Sequence, residues 1–242
     1  VKELLENAID AGANRISIRI FQAGQRLIEI SDNGIGISLP ELELAVARHA
    51  TSKLANSDDL FHIRTLGFRG EALASIASVS HFTLTSRTSI QDQGGRIKID
   101  GGKTTSIDQV GIPVGTVIQV EDLFFNTPAR LKFLKREQTE RQQIDALVTR
   151  YALAYPQVSF QLDQEERTSL HTSGNGDRRE VLSALYGVEL GKQLLEVDFA
   201  DEGVHITGFI SPISQTRSNR KEITFFINGR WIQDSTLSTA LL

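Results

Sequence analysis

The chain has no cysteine and no methionine, and only one tryptophan, three tyrosines and five prolines in 242 residues. Without cysteine there is neither a disulfide framework nor a thiolate metal site, which suits a reducing compartment. No apolar run reaches the roughly 20 residues needed to cross a bilayer, and no basic-then-apolar leader is visible. An excess of one charge is lacking too: 26 Lys and Arg against 30 Asp and Glu leave a net charge of −4. Nothing therefore pulls the whole molecule toward a polyanion, and nucleic-acid contact would require a local basic patch. The missing methionine has a separate reading. The sequence starts inside a helical pattern with no capping residue before it, and residues 237–242 stop in another with no Gly or Pro. The expectation is a fragment of a longer protein, cut at both ends.

What is present is ordinary globular material, 40% hydrophobic and 23% charged, long enough for one large domain or a large one with a small one. A first helix runs to Ala11-Gly12, and residues 14–21 then alternate Ile16, Ile18 and Ile20 with Ser17 and Arg19, the period of a half-buried strand. Residues 27–32 give a second strand. Ser38-Leu39-Pro40-Glu41 carries a cap, a proline and an acid for a helix expected to reach Arg48. Residues 49–70 lack a clean period and read as a long mobile segment before a helix over 71–79. Strands are expected at 82–86, 95–99, 103–107 and 116–121, a long helix over 137–154, and strands at 158–162 and 167–172. Ser173-Gly174-Asn175-Gly176-Asp177 is the best boundary, dividing residues 1–175 from 176–242. Beyond it come a helix over 178–186, strands near 194–199, 204–211 and 223–228, and a last helix from about Asp234. Successive strands joined by short turns imply an α+β fold with a mixed or antiparallel sheet and helices on one face, not a doubly wound dinucleotide fold.

Three stretches could carry chemistry. Glu3 and Asn7 lie one turn apart on one helix face; an amide oxygen suits magnesium, and a carboxylate nearby can polarise a water. The same spacing also describes a solvated amphipathic helix. Asp32-Asn33-Gly34-Ile35-Gly36 places a carboxylate, which can accept from an exocyclic amino group, beside glycines that let a flat ring approach the backbone. It is equally a common turn sequence. Gly67-Phe68-Arg69-Gly70-Glu71-Ala72-Leu73 sets glycines around an arginine before a helix, where backbone N–H groups can meet phosphate oxygens. No Gly-Lys-Ser/Thr follows, so it is not a Walker loop. Gly115-Thr116 opens a strand and offers a hydroxyl.

Taken in order, Glu-x-x-x-Asn, Asp-x-Gly-x-Gly, the Gly-rich segment and the Gly-Thr strand resemble the four ATP-binding motifs of the GHKL superfamily. Within it, residues 2–12, His49-Ala50-Thr51-Ser52-Lys53, Gly67 to Leu73 and Phe124-Phe125-Asn126-Thr127-Pro128-Ala129-Arg130-Leu131-Lys132-Phe133-Leu134 resemble the MutL mismatch-repair proteins. The likeness spans essentially the whole chain. It implies a GHKL (Bergerat) α/β sandwich with a mixed, mostly antiparallel sheet, followed by part of a ribosomal S5 domain 2-like domain. It implies ATP and Mg2+ as cofactors, with Glu3 as the base that activates water, Asn7 as the magnesium ligand and Asp32 as acceptor of the adenine amino group. Gly34 and Gly36 would admit the ring, and Thr51, Ser52 and Lys53 would border the nucleotide. Gly67, Phe68, Arg69, Gly70, Glu71, Ala72 and Leu73 would form the phosphate loop, and Thr116 the hydroxyl beside the base.

By the same resemblance the function is a weak ATPase switch of DNA mismatch repair in the bacterial cytosol, with no membrane role. It would dimerise with itself on ATP, answer the mismatch-recognition protein MutS, and act on a downstream endonuclease or helicase. DNA would lie in a basic groove, for which Arg130, Lys132, Lys135, Arg136, Arg178, Arg179, Arg217, Arg220, Lys221 and Arg230 are the candidates; a solvated basic face is the plain alternative. The family's N-terminal arm and its γ-phosphate lysine would lie outside residues 1–242, so nucleotide binding is expected with weak or no hydrolysis. The competing reading is the ATPase subunit of a type II topoisomerase, which shares the pocket motifs but not the strings at 49–53 and 126–134. A kinase-type or chaperone member lacks its phospho-accepting histidine or charged linker here.

Overall fold

The computed structural model describes residues 1–47, 66, 70–215 and 222–240. Helix α1 (Lys2–Asp10) buries Leu4, Leu5 and Ala8 along one stripe and ends at Gly12, whose φ of +72° turns the chain into β1 (Arg15–Phe21). β2 (Leu27–Asp32) returns beside it. Ser38 and Glu41 form the expected capping box, but the helix they start is shorter than its pattern suggested: a 3-10 turn, Leu39–Glu41, then α2 (Leu42–Ala45). Only Leu42 there is fully buried, so little packing favours a longer run. After α3 (Ala72–Ala77) come β3 (His81–Arg87), β4 (Gly94–Asp100), β5 (Lys103–Val110) and β6 (Gly115–Glu121). A short α4 (Pro128–Leu131) precedes the long α5 (Glu137–Ala154), and β7 (Ser159–Gln164) and β8 (Arg167–His171) complete the sheet.

Eight strands form one sheet in the order β5-β4-β3-β6-β2-β1-β7-β8. Every neighbouring pair is antiparallel except β1 and β7, which run parallel with Ile18 opposite Leu162. The alternation read in β1 is realised in full, with Ile16, Ile18 and Ile20 at 0% exposure. They join Leu84, Ile97, Ile118 and Phe160 from other strands, and Leu4, Leu5, Ile144 and Val148 from α1 and α5, in one core. Burying each such side chain is worth about 2 kcal/mol or more. The other face is polar: a cross-strand row runs Arg19, Glu29, Gln119, Thr83, Lys98. The helices therefore cover one face, and that face holds the candidate site.

The remaining described residues form α6 (Arg178–Tyr186), α7 (Val188–Gln193), the antiparallel pair β9 (Leu195–Asp201) and β10 (Val204–Ile210), the hairpin β11 (Phe225–Ile227) and β12 (Arg230–Ile232), and α8 (Ser235–Ala240). Asp177 caps α6 by accepting the Arg179 N–H at 2.8 Å. α7 and β12 have no counterpart in the sequence expectations. No helix among the described residues is long and apolar enough to cross a membrane.

Candidate functional site

The C-terminal end of α1 and the loop after β2 are built against each other. The Ala11 carbonyl accepts the Ile35 N–H at 3.0 Å. A Cβ on Gly34 would stand 2.7 Å from that same carbonyl oxygen, so only glycine fits there. Asn33 ties the loop to the turn below it: its Oδ1 accepts the N–H groups of Asn14 (3.0 Å) and Arg15 (2.9 Å), and its Nδ2 donates to Asn14 Oδ1 at 2.7 Å. At Gly36 the constraint comes from β3. With φ at +74°, a Cβ would lie 2.1 Å from the Arg87 carbonyl oxygen.

Asp32 sits at the end of β2, paired in register with Thr116 at the start of β6. Its Oδ1 accepts the Gly34 N–H at 2.8 Å, and the nearby Thr116 N–H also favours the ionised carboxylate. Burial nevertheless dominates and raises its pKa from 3.8 to about 6, against the pull of those two N–H groups. Behind it, Ser86 at 0% exposure and Thr116 at 7% form a buried hydroxyl pair. Ser86 Oγ lies 2.9 Å from Thr116 Oγ1, accepts the Ile37 N–H at 2.7 Å and donates to the Gly115 carbonyl at 2.8 Å. These bonds bring the loop 32–37, the end of β3 and the opening of β6 to one place beside α1.

Glu3 and Asn7 lie on α1 as expected. Glu3 is open to water and its nearest charge is Lys2 Nζ at 3.8 Å; Asn7 is half-buried. Among the described residues no group of three or more His, Asp or Glu could hold a metal by itself. The Asn7 amide oxygen is of a type that could share a cation with the oxygens of a bound anion, the usual habit of magnesium. Gly70 has φ +61° and leads through Glu71 into Ala72 and Leu73 of α3. Thr51, Ser52, Lys53, Gly67, Phe68 and Arg69 lie outside the described residues, as do Arg217, Arg220 and Lys221. Of the other basic candidates, Arg130, Lys132, Lys135, Arg136 and Arg230 are exposed. Arg178 and Arg179 are not a loose basic face. Arg178 donates to the Leu153 carbonyl at 3.1 Å, and Arg179 to those of Gly191 and Leu194 at 2.9 and 2.7 Å.

Sequence reasoning missed Ser86, Asp10 and Glu6. Asp10 holds the Leu66 N–H at 2.9 Å, and Glu6 is a 7%-exposed carboxylate that accepts from Tyr151. Ser86 had no signal. Glu6 had none either: at 100° per residue it stands well off the Leu4, Leu5 and Ala8 stripe, and only its distant partner Tyr151 explains its burial.

The architecture and this site define an ATPase fold of the kind shared by histidine kinases, gyrase B and heat-shock chaperones. The family profile "Histidine kinase-, DNA gyrase B-, and HSP90-like ATPase" matches residues 1–112, and "DNA mismatch repair protein, C-terminal domain" matches residues 182–242. The structure resembles the Aquifex aeolicus MutL ATPase domain complexed with ADP, at TM-score 0.74 and 34% identity over 99% of this chain and 84% of that one. It also resembles the N-terminal domain of a DNA repair protein, at TM-score 0.79 and 29% identity over 98% and 74% of the two chains. In sequence it is 46% identical to the DNA mismatch repair protein MutL of Lactococcus lactis subsp. lactis and 48% to that of Streptococcus pneumoniae serotype 19F, along its whole length. The chain belongs to the MutL family of DNA mismatch repair proteins. It spans 37% of the length of those two relatives. The topoisomerase alternative is not favoured by these matches.

Proposed function

We propose that this chain binds ATP at the junction of α1, the 32–37 loop and β6, and that it serves as the nucleotide-driven switch of a mismatch-repair protein. The observation that carries this reading is Asp32: a carboxylate drawn out of water, steadied by two backbone N–H groups and flanked by a buried hydroxyl pair. Ionised above about pH 6, it is an acceptor for an exocyclic amino group in a place that selects for one. Ser86 has one proton and gives it to the Gly115 carbonyl, so Thr116 must donate to Ser86 and keeps its lone pairs for a ligand. Asn7 presents an amide oxygen suited to Mg2+, and Glu3 a water-exposed carboxylate able to take a proton from a nucleophilic water. When bound, ATP supplies the phosphoryl group and Mg2+ offsets its charge. Thr51, Ser52, Lys53 and the segment Gly67 to Leu73 complete the pocket on the family's pattern.

In this reading residues 1–175 are the ATPase domain and 176–242 part of the second domain. The whole protein dimerises on ATP, responds to MutS, engages DNA through exposed basic residues such as Arg130 and Lys132, directs an endonuclease or helicase, and works in the cytosol. Hydrolysis by residues 1–242 alone is weak or absent. Calorimetry with ADP and with a non-hydrolysable ATP analogue, each with magnesium, tests the core of the proposal. Wild type binds both; Asp32→Asn binds at least about tenfold more weakly, the effect of losing a charge-assisted hydrogen bond; Asn7→Ala loses the magnesium-dependent part. Equal affinities for wild type and Asp32→Asn would reject the site.

A further inference from the structure

Helix α5 touches both α1 and the β11–β12 hairpin, and does so through neighbouring tyrosines. Tyr151 donates its hydroxyl to Glu6 Oε1 on α1 at 2.6 Å, and Lys2 Nζ stands 3.3 Å from the same oxygen. Just past the C-terminal end of α5, the Tyr155 ring lies 6.4 Å from that of Tyr151, tilted by 17°. Beyond Tyr155 is the hairpin. A Cβ on Gly229 would fall 2.7 Å from the Tyr155 hydroxyl oxygen, so the turn rests directly on the phenol. Arg150 reinforces the contact, its guanidinium 3.7 Å from the centre of the Trp231 ring on β12. The charges that bear on Tyr155 come from both sides, Asp10 and Glu6 on α1 and Arg230 on the hairpin.

Glu6 is one residue from Asn7 and three from Glu3. Within a single helical turn the backbone moves as a unit, so whatever fixes Glu6 fixes both. A buried carboxylate is costly unless its partners are in place. An apolar residue would fill the position without that cost. A hydrogen-bonded buried tyrosine is often a brace and nothing more. Here, however, its neighbour bears on a second element whose placement it can sense.

We propose that Tyr151 and Tyr155 are positioning residues that couple the β11–β12 hairpin to α1, linking the hairpin's placement to nucleotide held at that helix. The second half rests on the nucleotide reading above; the first does not. Coupling of this kind is reciprocal, so each end must answer a change at the other.

Two measurements on the 242-residue chain decide it. In nucleotide-free protein, hydrogen exchange of Tyr151→Phe is expected to speed up at residues 225–232 as well as in α1, by about fivefold. Gly229→Ala, altered at the other end, is expected to speed exchange in residues 2–10. If each variant changes only its own vicinity, the tyrosines are local braces and the coupling is overturned. Should Tyr151→Phe fold poorly by circular dichroism, Gly229→Ala decides the point alone. The second measurement uses Trp231, the chain's sole tryptophan. ADP with magnesium is expected to shift its fluorescence in wild type and to lose most of that effect in Tyr151→Phe at saturating nucleotide. Binding by calorimetry without any Trp231 response overturns the nucleotide link. Absence of ADP binding instead rejects the nucleotide reading, and the exchange measurement still decides whether α1 and the hairpin are coupled.

Discussion

The hydroxyl oxygens of Ser86 and Thr116 stand 2.9 Å apart on adjacent strands, both buried. Their single bond joins three segments, because Ser86 also holds the Ile37 N–H and the Gly115 carbonyl. Ser86→Ala strands those backbone groups where water does not reach them. The expected loss is about 2–3 kcal/mol of stability, each unsatisfied buried group costing roughly 1–3 kcal/mol. ADP affinity should fall with it, since the loop bearing Gly34 and Gly36 loses its tether. Urea denaturation and calorimetry check this; an unchanged midpoint would show that Ser86 is a passive filler.

Two glycines with nearly equal φ separate conformational preference from contact. Gly12 has φ +72° with nothing within 4 Å of a built Cβ, whereas Gly36 has φ +74° and the Arg87 carbonyl oxygen at 2.1 Å. Gly12→Ala should cost only the left-handed penalty, about 1–2 kcal/mol. Gly36→Ala adds a backbone collision at the end of β3 that cannot relax by a rotamer change, and should cost clearly more. Comparable melting temperatures for the two variants would mean that the loop yields easily.

Much of this fold is legible in the sequence. α5 occupies Glu137–Ala154 as expected, because Pro156 and a favourable run of helix formers bound it on sequence alone. The β1 and β2 alternation predicted a one-sided sheet. The parallel pairing of β1 with β7 was not readable, since it joins residues over 140 positions apart, Arg15 to Ser159, and leaves no local mark. β12 was missed although its signal was present: Asn228-Gly229, both with positive φ, is the two-residue hairpin turn. In Asp32-Asn33-Gly34 the turn reading holds: Asp32 accepts the Gly34 N–H, and Asn33 ties the turn to Asn14 and Arg15. Asn33 anchors the loop, and the half-buried Asp32 carboxylate is the group on which the nucleotide proposal draws.

That division predicts distinct phenotypes. Asn33→Ala removes three hydrogen bonds to Asn14 and Arg15 and should destabilise the fold by about 2 kcal/mol or more, at roughly 1 kcal/mol per bond. Its effect on nucleotide affinity should be indirect and partly recovered at lower temperature. Asp32→Asn should do the reverse, sparing the fold and weakening binding. Thermal melts read beside ADP titrations at two temperatures test the contrast. A binding defect in Asn33→Ala as deep and as insensitive to temperature as that of Asp32→Asn would assign Asn33 to the ligand.

The pH response of Asp32 carries a fixed sign. Burial raises its folded-state pKa to about 6 from 3.8, so between those values the folded chain binds more protons than the unfolded one. Stability from this group is therefore fully present below about pH 3.8 and is lost as pH rises toward 6. Asp32→Asn lacks the titration, so its stability relative to wild type should climb across that interval and level off above it. Binding runs the opposite way. The ionised carboxylate is the acceptor, so ADP affinity of wild type should fall about tenfold per unit once pH drops below the folded pKa. The variant's weaker affinity should stay nearly flat. Denaturation and ADP titrations of both proteins from pH 4.5 to about 8 check the two slopes together. Parallel stability curves for wild type and variant would place the carboxylate in water, and the half-buried acceptor on which the nucleotide reading depends would be lost.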